Sequence, residues 1–426
     1  MSVLAHGVGS RGDLPVPVGA AALAAGLVLV VTFVALGRFR RTPHLRGADA
    51  GRPLPHPLAV VLDSPALRAA ARTSVLVGFV AVVVVGLAGP DGTARNLAPW
   101  VLYVNVWVGI VPVSLLLGPV WRVVNPLRAL HSGLAAVLRL DPDRGLTDLP
   151  SRVGLWPAAV MLALFGWLEL AYPEPADPRV VAWFLIGYAV VQVGAAVVFG
   201  RRWFARGDGL EVWSTLLGAL APLGRRRDGR LVLRSPVDGL EAVPPQPGLV
   251  AVVLVLVGST AFDGLSRSSL WTVPRGALWP TIGLVGVTAV VVALYLLGTW
   301  RADPVRARAG GPERAPIPVA FAHTIVPIAA GYAIAHYFSL LVFDGQQAFR
   351  IVAGADGPVD YTLLAPAAIA AVQLAAIVLG HVAAAVGAHE RSLRLFPPRV
   401  ALRIQYPMLA AMVVLTCGAV GLVLAP

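Results

Sequence analysis

Ten apolar runs, each near the length that crosses a bilayer, constrain this chain more than any motif in it. They fall at roughly 17–37, 72–88, 98–118, 154–171, 180–200, 248–263, 277–299, 318–343, 361–387 and 406–424. Lipid leaves a spanning segment no water to bond its backbone, so it must be helix or closed barrel, and runs of about 20 residues fit helices. Hydrophobic residues make up 57% of the 426 and charged residues only 13%. Such an excess of apolar surface belongs to lipid rather than to a soluble core. The expectation is an all-α polytopic membrane helix bundle, one integral membrane domain over residues 1–426.

The net charge of +12 is sorted between those runs, and all 34 basic residues are arginine. Alternate connections, from Arg38 to Arg72, Arg122 to Arg152, Arg201 to Arg234, Arg301 to Arg314 and Arg391 to Arg403, hold 28 of them. The other side keeps Arg11, Arg95, Arg179, Arg267, Arg275 and Arg350. Basic residues stay cytoplasmic, so both termini are expected outside. The charge then reads as an orientation signal with anionic lipid as its partner at the cytoplasmic face, and not as a nucleic-acid footprint. Arginine without lysine points to GC-rich codons, hence to a bacterial plasma membrane. Only five residues precede His6, too few for the apolar core of a signal peptide. The single Cys417 can form no intrachain disulfide.

Two cytoplasmic loops, 119–152 and 201–247, carry helix signals. Asn125 is a good N-cap with Pro126 at the first helical position, and Leu127, Leu130, Leu134 and Leu138 follow at helical spacing. Asp208 with Glu211 three residues on resembles a capping box, ahead of Trp213, Leu216, Leu217 and Leu220. Both segments are expected as interfacial amphipathic helices, the second backed by Arg225, Arg226 and Arg227. A solvated basic loop is the alternative for each. The GRLVLRSP stretch reads as a short extended segment.

Ionisable groups inside a span are costly and usually face protein or a wet cavity. The run Val319–Phe343 holds two, His323 and His336, with Pro327 expected to kink the helix between them. Thirteen residues separate them, roughly 220° around a helix and 20 Å along it, so they cannot share one ion. His323 is expected in an inner polar cluster with His381, and with His389 and Glu390 at the cytosolic boundary. Gly380, Ala384 and Ala388 form a small-residue stripe there. His336 is expected with the outer acids Asp263 and Asp344, and with His6 and Asp13 of the N-terminal segment. Imidazole plus carboxylate suits a divalent metal ion that activates water, with His336 and Asp263 as catalytic ligands. No spacing as diagnostic as HExxH supports this, and local capping or interhelical hydrogen bonds are the competing reading. The chain has no GxSxG, no Walker loop and no GxGxxG after a strand.

The blocks AHGVGSRGDLPVP, RNLAPWVLYVNVWVGI, WRVVNPLRAL, GSTAFDGLSRSSLW, HTIVPIAAGYAIAHYFSLLVFDGQQ, GHVAAAVGAHERSLRLF and IQYPMLAAMVV are spread over most of the chain. In these it resembles a bacterial multi-pass membrane family labelled fenitrothion hydrolase. The resemblance implies hydrolysis of an organophosphorus ester with release of a nitrophenol, and it assigns no catalytic residues. Members it resembles place AHG after a leader. Cleavage after Ala5 would expose His6 as an N-terminal amine and imidazole pair able to chelate a metal. Three functions stay open: a metal-assisted hydrolase, a transporter or permease using its histidines as a proton or ion relay, and a noncatalytic subunit with a partner membrane subunit.

Overall fold

Capping residues and prolines set the helix boundaries. The structure, a computed structural model, describes residues 18–274, 276–300, 315–355 and 357–424. In chain order the helices used below begin with α1 (Val18–Phe39), α2 (Pro65–Ala88), α3 (Ile110–Leu117), α4 (Pro126–Leu138) and α5 (Trp156–Leu170). Next come α6 (Pro178–Phe199), α7 (Gly209–Ala219), α8 (Pro236–Glu241), α9 (Leu249–Ser266) and α10 (Leu278–Thr299). The last are α11 (Val326–Phe343), α12 (Gly345–Ala353), α13 (Pro366–Leu395) and α14 (Tyr406–Leu424). Ser64 caps α2 and Asp177 caps α6, each followed by proline at the first position. The second span starts seven residues ahead of its apolar run, because α2 continues back through Arg72 and Arg68 to Pro65. Arg72 Nε there donates to the Val123 carbonyl at 2.8 Å.

The described residues contain 10 helical segments long and apolar enough to cross a bilayer, so the fold is an all-α polytopic membrane bundle. Two segments form its centre: 61% and 67% of the residues in an 18-residue apolar stretch of Leu249–Ser266 and of Ile317–Ala353 are buried, against 11% in His56–Ala88 at the rim. Helices α11 and α13 share the most extensive contact among the described helices. A Cβ at Gly331 would collide with the Ala376 carbonyl, and one at Gly380 with the Pro327 carbonyl, so glycine is what lets these backbones touch.

The central segment is not one kinked helix. Ile317–Phe321 is α-helical, Ala322–Ile325 is a 3-10 turn, and α11 follows. Pro327 has no N–H to offer the His323 carbonyl four residues back, so that carbonyl takes the Val326 N–H instead. The break thus falls on His323. A π-helix over Trp100–Val108 in the third span is a second irregularity, and Gly109 N–H closes it on the Val104 carbonyl at 3.0 Å.

The described arginine-rich connections gather on one face. Strand β1 (Arg52–Pro53) of the first pairs antiparallel with β3 (Leu231–Leu233) of the third, and β3 with β2 (Leu223–Arg225). The GRLVLRSP segment is therefore extended as expected. Glu390, at the end of the ninth span, accepts the His44 and Leu45 N–H groups of the first connection at 2.7 and 3.2 Å. The connection from Arg301 to Arg314 lies outside the described residues. Helix α4 starts where Asn125 accepts the Leu127 N–H, and Leu134, Val137 and Leu138 stay exposed on it. An apolar exposed face beside a charged loop suits an interfacial helix. Helix α7 differs: Asp208 caps it as expected, but Trp213, Leu216 and Leu217 are buried in protein rather than turned to lipid. Its arginines also have partners within the chain. Arg225 meets Asp63 at 2.6 Å, Arg227 meets Asp49 at 3.0 Å, and Arg226 pairs with Asp228.

Candidate functional site

Two clusters of ionisable groups sit at opposite ends of the central segment. In the first, α9 carries Asp263 and, just past its end, Arg267, which face the same way by i, i+4 spacing. Arg267 Nε donates to Asp263 Oδ1 at 3.0 Å and Nη2 to Oδ2 at 3.1 Å. From α11, His336 Nε2 approaches Oδ2 at 2.7 Å. A carboxylate only accepts, so Nε2 is the protonated nitrogen of that bond. Tyr337 stands edge-on to the His336 ring with centroids 4.8 Å apart. Glu169, near the end of α5, adds a second carboxylate to the field of Asp263 and Arg267. His336 and Asp263 meet as expected, and Arg267 and Glu169, which stand in no sequence motif, join them.

The other proposed ligands are not brought to this pair. Asp344 ends α11 eight residues past His336, about 12 Å along the helix. Its Oδ1 accepts from Tyr361 at 3.5 Å, and Oδ2 has no hydrogen-bond partner among the described residues. His6 and Asp13 lie outside the described residues. Among the described residues no three His, Cys, Asp or Glu side chains form a group that could hold a metal ion. Asp263 accepts two hydrogen bonds from Arg267 and one from His336.

The second cluster forms on the arginine-rich face. His323 in the 3-10 turn lies 3.4 Å from Glu241 at the end of α8. That approach lacks hydrogen-bond alignment, and both ring nitrogens of His323 and Glu241 Oε2 stay unbonded among the described residues. From α13, Arg394 Nε reaches Glu241 Oε1 at 3.1 Å and Arg391 Nη1 at 3.4 Å. Burial pushes the Glu241 carboxyl up, but His323, Arg391 and Arg394 outweigh it and hold the group below the usual carboxylate range. So His323 has a carboxylate partner, and it is not among the histidines expected beside it. His381 Nδ1 meets the Ile377 carbonyl on its own helix at 2.8 Å. His389 bridges Gln405 at 3.3 Å and the Arg40 carbonyl at 3.0 Å. The two His389 bonds tie α13 to the first and last arginine-rich connections.

A third network, buried beside α7, has every carboxylate satisfied. Asn125 Nδ2 donates to Asp208 at 2.8 Å and to Glu211 at 3.1 Å, Tyr188 donates to Asp208 at 2.8 Å, and Arg128 forks onto Glu211 at 2.7 and 2.6 Å. Burial, then the Glu211 charge, pushes the Asp208 carboxyl up to about 6. Full satisfaction marks this network as a structural clasp between the second and third arginine-rich connections. The fold and these clusters define a polytopic helical membrane protein with paired His–carboxylate–Arg sites. Comparison with family models, curated proteins and solved structures finds no match.

Proposed function

We propose that this chain is a proton-linked membrane transporter in which the two His–carboxylate–Arg clusters bind and release the coupling proton. The observation that carries the reading is their placement on one central segment: His336 with Asp263 and Arg267 at one end, His323 with Glu241 and Arg394 at the other. Imidazole exchanges protons in the neutral range, and intramembrane ionisable residues of this kind serve relays. Protonating His323 would turn its unaligned 3.4 Å approach to Glu241 into a charge-assisted bond. The 3-10 turn that carries His323 is the hinge such a change would act on, since 3-10 stretches inside helices mark hinges. The arginine-rich face is read as cytoplasmic, in a bacterial plasma membrane, with anionic lipid as its partner.

An imposed pH gradient across proteoliposomes with a trapped pH dye tests the reading. Wild type should collapse it several-fold faster than Asp263→Asn and Glu241→Gln, both checked for monodispersity. Equal rates in all three would sink proton linkage.

The His336–Asp263 contact also supports a second reading, hydrolysis of an organophosphorus ester as the family resemblance implies. Asp263 would orient His336 as a general base toward water. Release of nitrophenol from a nitrophenyl phosphotriester by purified protein, lost in His336→Ala, would replace transport with hydrolysis.

A further inference from the structure

A buried carboxylate needs a counter-charge or several donors, and most of those in this chain have them. Asp208, Glu211 and Asp263 are held by the partners given above, Glu241 by Arg391 and Arg394, and Glu390 by two backbone N–H groups. Asp344 is the exception. It is 5% exposed where α11 meets α12, eight residues past His336 and farther from the arginine-rich face. An aspartate that opens a helix ordinarily bonds the free N–H groups of the first turn, yet Asp344 makes no such bond to α12. Its Oδ1 accepts from the Tyr361 hydroxyl at 3.5 Å, and Oδ2 is buried and unbonded among the described residues.

The elements packed around Asp344 bring it no cation. On the π-helix, Asn105 Nδ2 donates to the Gly345 carbonyl at 3.4 Å, and Asn105 Oδ1 is itself a buried acceptor without a donor. Tyr103 of the same π-helix gives its hydroxyl to the Pro175 carbonyl at 2.8 Å. On α12, Arg350 Nη2 donates to the Gly357 carbonyl at 2.7 Å. Asp360 Oδ1 takes the Thr362 N–H at 2.8 Å and its hydroxyl at 2.6 Å. No arginine or histidine comes within ion-pair distance of Asp344 among the described residues, and no second carboxylate or imidazole joins it to build a metal site. An ionised carboxylate enclosed in this way is costly, and one proton removes the charge. We propose that Asp344 is a proton-binding site, a neutral carboxylic acid with its proton on Oδ2. Tyr361, 45% exposed, ties the group to the outer surface, where the proton exchanges. As a proton site it stands apart from transport; as the outer group that loads the relay it rests on the proton-linked reading.

Infrared difference spectra of the full chain in liposomes, recorded from about pH 5 to about pH 9 in sodium-free buffer, test the assignment. Wild type should show the carbonyl band of a protonated carboxyl at the acid end, shifted in heavy water and lost as pH rises. Asp344→Asn should lack that band. Tyr361→Phe should move its midpoint to higher pH, because the ionised form loses its hydroxyl donor. Should Asp344→Asn not fold, Asp344→Glu keeps the acid and should displace the band. Identical spectra for wild type and a folded variant at Asp344 overturn the proposal. Loss of the band on adding sodium at constant pH also overturns it, since the site would then be a metal cation's. In the trapped-dye assay Asp344→Asn should slow collapse of the pH gradient several-fold, and an unchanged rate would overturn the loading role. The band is read without any flux, so failure of this site and failure of proton-linked transport are told apart.

Discussion

Arg267 is what makes a buried carboxylate at Asp263 tolerable. Arg267→Ala would leave that charge with His336 alone, and breaking a buried pair costs about 3–5 kcal/mol. Arg267 is 26% exposed, so the lower end applies: a loss of about 3 kcal/mol, read by denaturation in detergent, with Arg267→Lys restoring only part because an ammonium cannot fork. Asp208 offers a test by pH. Its carboxyl is raised to about 6 in the folded chain, so its favourable contribution is complete below the unfolded value and fades as pH rises through 6. Between about pH 4 and pH 7 the stability of wild type relative to Asp208→Asn should fall by on the order of 2–3 kcal/mol. Thermal unfolding of both proteins across that range checks it, and parallel profiles would refute the buried charge. The His336–Asp263 pair was legible because each is a polar residue in an apolar run, where hydropathy fixes depth. Glu241 was not. It sits in an arginine-rich connection, where any acid reads as a solvated counter-charge and depth is undefined. Asp344 shares the depth range of His336, but eight residues of helix separate them and its hydroxyl partner comes from Tyr361.

Among the elements, the central segment is the one whose shape depends on a single missing donor. Pro327→Ala restores an N–H to the His323 carbonyl, so the 3-10 turn should relax to α-helix and turn His323 away from Glu241. Stability is expected to hold or rise while proton flux in proteoliposomes drops several-fold; undiminished flux would show that the turn is not a working hinge. The composition of α7 gave no warning of its burial. An amphipathic pattern states that one face avoids water, and it does not say whether lipid or protein covers that face. The pattern of α4 is of the same kind, yet its Leu134 and Leu138 remain outside the protein. The π-helix over Trp100–Val108 had no signal at all, since its cause is a backbone bond shifted by one residue.

For the whole molecule, the ten spans were legible because hydrocarbon thickness imposes an apolar run of about 20 residues on each, while their lengths were not, since helices such as α2 run on past the apolar run. Orientation rests on charge asymmetry and can be checked directly. In a Cys417→Ser background, Asp91→Cys should react with a membrane-impermeant maleimide in intact cells, and Ser132→Cys only after permeabilisation. The reverse pattern would invert the topology. Both positions are exposed and lie on opposite faces of the bundle.

The bond from the His44 N–H to the Glu390 carboxylate spans 346 residues of sequence. A ribosome adding about 5–20 residues per second needs on the order of 20–70 s to make that stretch. Through that interval His44 and Leu45 have been synthesised without their partner, although Arg52 and Pro53 can already pair with β3. This corner of the arginine-rich face emerges early and is locked late. Nascent chains halted before α13 should therefore be nicked by protease at His44–Leu45, and full-length chains should not.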